Sequence, residues 1–358
     1  MEQSNYLKYI QKFFTGIVTG VVTKLNDTKN PVVYYHQRFL KKNFSVDGNW
    51  ESINAANTLV MADVVAMDSS LPLKKRDSIS KANGKIPKMG MELKLNEQQL
   101  TDLQTLASRP GTEPQLIAKI FQDVPRVIGG VKERNEAIFL EALSTGVCEV
   151  DDAENTGTAI RMNYNYQNQY GASVVWSSTS ATPLTDLQRI KTDAQTKGDV
   201  IIKFLMDRTT FNNLAKTTEA KQFYAFAIGF AGTATQTPTL SKLNSELQDG
   251  YGFTIEIIDR SVRYEKNGVQ TVQTPWSANK VIGITTESLG DITWATLAEA
   301  LAPVAGVSYE TADDYILVSK FRTNTPSLAE VTRSQARVVP VLTNTDQIYY
   351  LDTNTVQS

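Results

Sequence analysis

Apolar and polar positions alternate from Lys88 to Leu95. Met89, Met91, Leu93 and Leu95 fall on one side and Glu92 and Lys94 on the other, which predicts a strand. An earlier apolar stretch, TLVMADVVAM, precedes it, and between the two lies DSSLPLKKRDSISKANGKIP. That segment holds Pro72 and Pro87, the basic run Lys74, Lys75 and Arg76, and an Asn83-Gly84 turn signal, with no apolar set from which to build a core. The pattern predicts a hairpin over Leu59–Leu95. Isolated two-stranded ribbons are marginal in water, and arms of roughly 10 residues would reach on the order of 30 Å. A neighbouring subunit is the expected partner surface.

Helical spacing follows the hairpin. Asn96 offers a capped start, and Thr112-Glu113-Pro114 opens a second helix with proline in its first turn. From Gln115 to Ser144, Leu116, Ile120, Val124, Val127, Val131, Ile138 and Leu143 predict one long helix, bent near Pro125 and weakened at Gly129-Gly130. Asp151–Gly171 is polar, with NYNYQNQY toward its end, and is expected to be an exposed linker or insertion. Thr182 is expected to cap a helix opened by Pro183, and the apolar run VIIKFLM after Asp199 has the composition of a buried central strand.

Beyond it, about Val200–Ala312 alternates short helices and strands. SVRYEK and VQTVQTP flank Asn267-Gly268, a strong hairpin signal. DYILVSKFRT, a break at Pro326 and VTRSQARVVPVL predict long closing strands. At the other end, YLKYIQKFFTGIVTGVVTKL places Leu7, Ile10, Phe13, Phe14, Ile17, Val18, Val21 and Val22 at helical spacing, with Lys8 and Lys12 opposite. This fits an amphipathic arm docked on another surface better than a secretory signal or a membrane span.

The words SLPLKKRDSI and GKIPKMGMELKLNE followed by a long helix resemble the extended loop and spine helix of phage major capsid proteins. The resemblance is to the HK97-type shell fold, and within it to the lambda capsid-protein (major capsid protein E) branch. It implies an α+β chain with an N-terminal arm (1–58), an extended-loop hairpin (59–95), a peripheral domain with the spine helix (96–199 and 313–358) and an inserted axial domain (200–312). The implied function is a shell of hexamers and pentamers around double-stranded DNA, built in the host bacterial cytoplasm. With only about 58 residues before the hairpin a fused scaffold domain is not expected, which implies a separate scaffolding protein or none, with a portal as further partner. An encapsulin-like compartment built on the same fold is the alternative. Inter-subunit contact is expected at Lys74, Lys75, Arg76, Lys81, Lys85, Lys88, Met89 and Met91.

Composition agrees with a packed chain: 358 residues, 41% apolar, 21% charged. The formal charge of −2 provides no basic field of the kind DNA-binding proteins carry, though a container does not need one. The single cysteine, Cys148, cannot form an intramolecular disulfide and is expected as a small helix-end residue, and the single histidine, His36, lies among aromatics as a packed side chain. The acidic pairs Asp151-Asp152 and Asp313-Asp314 are expected to be solvated. Without a nucleophile–histidine pairing, a phosphate loop or a metal-ligand set, no catalytic function, cofactor or metal is expected.

Overall fold

The computed structural model describes residues 2–27, 34–55, 79–150, 159–227, 229, 236–325 and 327–357. The chain begins with α1 (Leu7–Leu25), α2 (Tyr35–Phe39), β1 (Leu40–Phe44), β2 (Asn49–Ala55), β3 (Ile79–Lys85) and β4 (Lys88–Leu95). It continues with α3 (Glu97–Ala107), α4 (Glu113–Ile120), α5 (Val124–Thr145), β5 (Val147–Val150), β6 (Ile160–Asn163), β7 (Asn168–Ala172), α6 (Pro183–Thr196) and β8 (Lys203–Met206). Then come α7 (Arg208–Lys216), α8 (Thr218–Ala227), α9 (Leu240–Tyr251), β9 (Thr254–Ile257), β10 (Val262–Lys266), β11 (Val269–Gln273), β12 (Lys280–Ile284) and β13 (Gly290–Ala295). The last elements are α10 (Ala298–Leu301), β14 (Ser308–Ala312), β15 (Ile316–Thr323), β16 (Ala329–Leu342) and β17 (Ile348–Val356).

These elements form two compact units: Met1–Trp50 with Gly84–Glu136 and Asp291–Val341, and Glu51–Asn83 with Ala137–Gly290 and Leu342–Ser358. The first unit is built on a sheet ordered β1-β13-β16-β15-β14, with β4 also on β16. Strand β16 is long enough to serve β15 on one edge while β4 runs antiparallel on the other, pairing Leu95 with Glu330 and Met89 with Ala336. Helix α1 lies in this unit. It buries Ile10, Phe14 and Val18, and Phe14 stacks on Phe121 with ring centroids 6.0 Å apart. A backbone bridge between Glu2 and Arg322 fixes its leading end. The amphipathic arm thus has a surface in its own chain.

Local chemistry explains where several elements start and stop. Asn96 and Gln99 form a reciprocal capping box at the start of α3. The expected single helix over 115–144 is two helices, because α4 ends at Ile120 and α5 begins at Val124. Pro125 therefore opens α5 instead of bending it, in a first turn where its missing N–H goes unused. Gly130 has a different role from the helix weakening expected of it: a Cβ there would collide with the Met91 sulfur of β4.

The expected hairpin pairing is also revised. The return arm, β4, pairs with β16, and the ribbon is formed by β2 and β3. Asn83-Gly84 lies inside β3 and makes no turn; the break falls at Ile86-Pro87 instead. Glycine at 84 admits the Trp50 indole, whose Nε1 would stand 2.8 Å from a Cβ at that position. The outgoing arm Leu59–Met67 and the tip with Lys74, Lys75 and Arg76 lie outside the described residues, as do Asp151, Asp152 and Pro326.

In β4, Gly90 faces Gln335 across the ladder, and a Cβ at 90 would overlap the Ser334 carbonyl oxygen. The obstacle is backbone and cannot swing aside, so Gly90→Ala should cost about 1–3 kcal/mol. A urea titration of the unassembled chain checks this, and an unchanged midpoint would count against the close approach.

The second unit holds a five-stranded sheet, β7-β17-β12-β8-β9. Strand β8 sits between β12 and β9 with Phe204, Leu205 and Met206 fully buried, so the second half of the VIIKFLM run is the interior strand it predicts, whereas Val200 and Ile202 precede the strand and are exposed. Helices α6 to α9 supply Leu187, Ile190, Leu214, Leu243 and Leu247 to the same core. The β10–β11 hairpin turns at Asn267-Gly268, both with positive φ, in agreement with the sequence signal.

Two expectations fail in this unit. Thr182 makes no side-chain cap; the Glu219 carboxylate of α8 takes its place, accepting from the Leu184 and Thr185 N–H groups at 2.7 and 3.1 Å. The NYNYQNQY stretch is also not an exposed linker, since Tyr164 and Tyr166 are buried. Tyr166 Oη donates to the Ala142 and Leu143 carbonyls at 3.0 Å, satisfying acceptors at the α5 C-terminus.

Candidate functional site

Two features of the first unit bear on function: the exposed run around β4 and a buried polar clasp behind it. Lys85 and Lys88 are exposed on either side of Ile86-Pro87. Met89 is half-buried and Met91 is 37% exposed, with its sulfur resting over Gly130. Four of the predicted contact residues therefore come together on one short stretch. The side chain of Lys81, like the basic tip, is outside the described residues.

The clasp was not foreseen from sequence. Helix α5 carries Lys132, Asn135 and Glu136, all fully buried, on the stripe that also holds Ile128, Val131 and Phe139. Glu136 Oε2 accepts from the His36 backbone N–H at 3.0 Å and lies 2.6 Å from His36 Nδ1, while Oε1 accepts from the Tyr35 N–H at 2.9 Å. The carboxylate thus caps α2, satisfying orphan N–H groups at its start. His36 is the packed histidine that its aromatic neighbours imply.

Lys132 Nζ meets Asp313 Oδ2 at 3.0 Å and also donates to Asn26 Oδ1, just past the end of α1. Lys42 reaches Asp313 at 2.8 Å and Asp314 at 2.6 Å. Both aspartates have left-handed backbone, φ 55° and 72°, at the tight turn between β14 and β15. The expectation of a solvated acidic pair is therefore wrong for Asp313, whose side chain is 5% exposed, though it holds for Asp314 at 65%. Burial acts to raise the Asp313 carboxyl, but Lys132 and Lys42 outweigh it and hold it below its ordinary value. Burial also pulls Lys132 down, more than Asp313 restores, with repulsion from Lys42 adding to the fall. Both members being lowered marks a pair whose desolvation cost falls mainly on the ammonium.

Cys148 is buried in β5, three residues past the helix end where sequence placed it. Asp186 is fully buried, accepting from Trp176 Nε1 at 2.9 Å and from Ser173 Oγ at 2.6 Å. Among the described residues no group of three or more His, Cys, Asp or Glu side chains could hold a metal ion, and no helix is long and apolar enough to cross a membrane.

Compared with solved structures, the chain has the HK97-like fold of shell-building phage proteins. A protein described as the capsid protein of a prophage from E. coli CFT073 superposes with a TM-score of 0.58 at 12% identity, over 94% of this chain and 98% of its own. A phage-related protein from Bordetella bronchiseptica RB50 gives 0.50 at 11% identity, over 96% of this chain and 98% of its own. A search of curated proteins finds no significant match. The sequence profile of a phage family, "Phage major capsid protein E", matches residues 51–308, most of the chain, and the chain belongs to that family. It is a structural protein of the phage capsid.

Proposed function

We propose that copies of this chain form hexamers and pentamers that close into an icosahedral head shell around double-stranded DNA, built in the host bacterial cytoplasm with a separate scaffolding protein and a portal. The observation that carries this reading is the family match over residues 51–308. On this reading, residues 96–199 with 313–358 act as peripheral domain, 200–312 as axial domain, and 59–95 as the loop that clasps the next subunit. Lys74, Lys75, Arg76, Lys81, Lys85, Lys88, Met89 and Met91 are its contact residues, and the chain performs no catalysis. Near-neutral net charge is compatible with an inner wall that tolerates packed phosphate without gripping it.

Electron microscopy of purified particles tests the reading. Shells of many hundreds of copies enclosing nuclease-protected DNA are expected; small shells holding a protein cargo and no DNA would overturn it in favour of an encapsulin-like compartment. Reversing the charge of Lys74, Lys75 and Arg76 together should reduce shell yield while leaving the subunit folded, and raised salt should weaken wild-type assembly in the same direction. Normal shells from the triple variant would remove the basic tip from the contact set.

A further inference from the structure

We propose that Asn267 is a site of spontaneous covalent modification, at which closure of a succinimide onto Gly268 converts the amide to an isoaspartyl link and opens the β10–β11 ribbon. The chain has two Asn-Gly pairs, Asn83-Gly84 and Asn267-Gly268. In both, the residue after the asparagine has no Cβ, so its amide nitrogen is open to the side-chain carbonyl. What separates the pairs is the backbone that holds them.

Asn83-Gly84 lies within β3, which pairs with β2, and Gly84 is seated against the Trp50 indole. Ring closure there requires a strand to leave its ladder. Asn267 and Gly268 are exposed and make up the whole loop between the paired residues Lys266 and Val269, with φ 54° and 78°. Two central residues of positive φ define a type I′ turn, in which the Val269 N–H closes the turn and the Gly268 N–H is left over. Among the described residues the Gly268 N–H donates to no backbone carbonyl. The nucleophile is therefore free, and only the dihedrals of the turn have to move.

The reaction consumes only water. The Gly268 nitrogen attacks the Asn267 side-chain carbonyl carbon, and the new C–N bond closes the ring as the side-chain nitrogen leaves as ammonia with the displaced proton. Water then adds to either ring carbonyl. Opening at the main-chain carbonyl routes the chain through the side-chain carbon, which is the isoaspartyl product; opening at the other carbonyl leaves aspartate. The isoaspartyl product carries an extra carbon in the main chain, so the loop no longer closes in the Lys266–Val269 register. Strands β10 and β11 form a sheet of their own and leave Val269 65% and Val272 59% exposed. A two-stranded ribbon that buries so little depends on its turn.

Peptide mapping of the purified full-length chain, incubated at mildly alkaline pH, tests the assignment. Asn267 should convert at least about tenfold faster than Asn83, a ratio that needs only about 1.4 kcal/mol of strand opening at the slower site. Equal rates, or a faster Asn83, overturn the proposal. In denaturant the two pairs should convert at similar rates, and a ratio that survives unfolding overturns the role given to the turn. Asn267→Gly keeps a loop that accepts positive φ and removes the reactive amide. Amide exchange over residues 262–273 should quicken about tenfold in converted wild type and stay unchanged in equally aged Asn267→Gly. Converted wild type that keeps its protection overturns the opening of the ribbon.

Discussion

Changing Asp313 to glycine is expected to lower the stability of the first unit by about 3–5 kcal/mol, because it strands a buried lysine without its counter-charge. Glycine is the informative replacement. Asp313 sits at φ 55°, so alanine would add backbone strain of its own, whereas glycine accepts that conformation freely. What the glycine variant loses is the carboxylate alone, which pairs with Lys132, a side chain with no exposure. Lys42 is 44% exposed, and its share of the interaction is screened by solvent.

Lys132→Met should cost less than Asp313→Gly, since Asp313 keeps Lys42 as a partner while no buried ammonium remains. The double variant should then lie near Lys132→Met, a coupling that a double-mutant cycle reads directly. Because the Asp313 carboxyl is held below its ordinary value, its contribution is full above the usual carboxylate range and fades as pH falls through the folded value. The gap between wild type and Asp313→Gly should therefore narrow in acid. Asn26 ties the end of α1 to Lys132, so amide exchange in residues 19–26 should rise in the variant while β8 in the other unit stays protected. Equal exchange in both proteins would show that the clasp does not hold the arm.

The parts of this fold that were legible in the sequence are those where a local signal and the tertiary environment agree. Met89 to Leu95 alternates and is a strand; Asn96 with Gln99 is a capping box; Asn267-Gly268 turns a hairpin; the VIIKFLM run is central in its sheet. Expectations failed where one residue type serves two purposes. Asn83-Gly84 has the composition of a turn, yet its glycine makes room for Trp50 within a strand. Gly130 suggests a weak helix, yet it seats Met91. NYNYQNQY has the polarity of a linker, although Tyr164 and Tyr166 carry large apolar rings that are buried between β6 and β7.

The clasp was hidden for a related reason. Lys132, Asn135 and Glu136 occupy the apolar stripe of α5, and a charged residue on a buried face is itself the signal of a partner elsewhere in the chain. The candidate contact surface was legible as composition in the basic run and the methionines.

Lys320 gives the second large effect, with a pH dependence of the same sign as that of Asp313 but in the alkaline range. Its ammonium is buried in β15 and donates to the Ile120 carbonyl at 2.8 Å and to Thr332 Oγ1 at 2.7 Å, 5.5 Å from the centre of the Phe121 ring. Ile120 ends α4, so the lysine satisfies a carbonyl that the helix leaves orphaned. Burial pushes the ammonium down from 10.5 to about 8, with Glu330 and Asp123 only partly offsetting it. Between those values the unfolded chain holds a proton that the folded chain has lost, so stability should rise with pH across this window by about 3 kcal/mol. Below pH 8 both states are protonated and the cost of the buried charge is paid in full.

Lys320→Met removes the titration and leaves the Ile120 carbonyl without its donor, at a penalty of about 1–3 kcal/mol that does not depend on pH. Near pH 7 the two effects oppose each other, and the variant should lie within about 2 kcal/mol of wild type. Near pH 10.5 wild type should be the more stable by a margin about 3 kcal/mol larger than at pH 7. Parallel denaturation series on the two proteins isolate this difference from the buried tyrosines that titrate in both. A constant gap from pH 7 to 10.5 would mean that Lys320 remains charged throughout, held by Glu330 and Asp123 more strongly than burial opposes it.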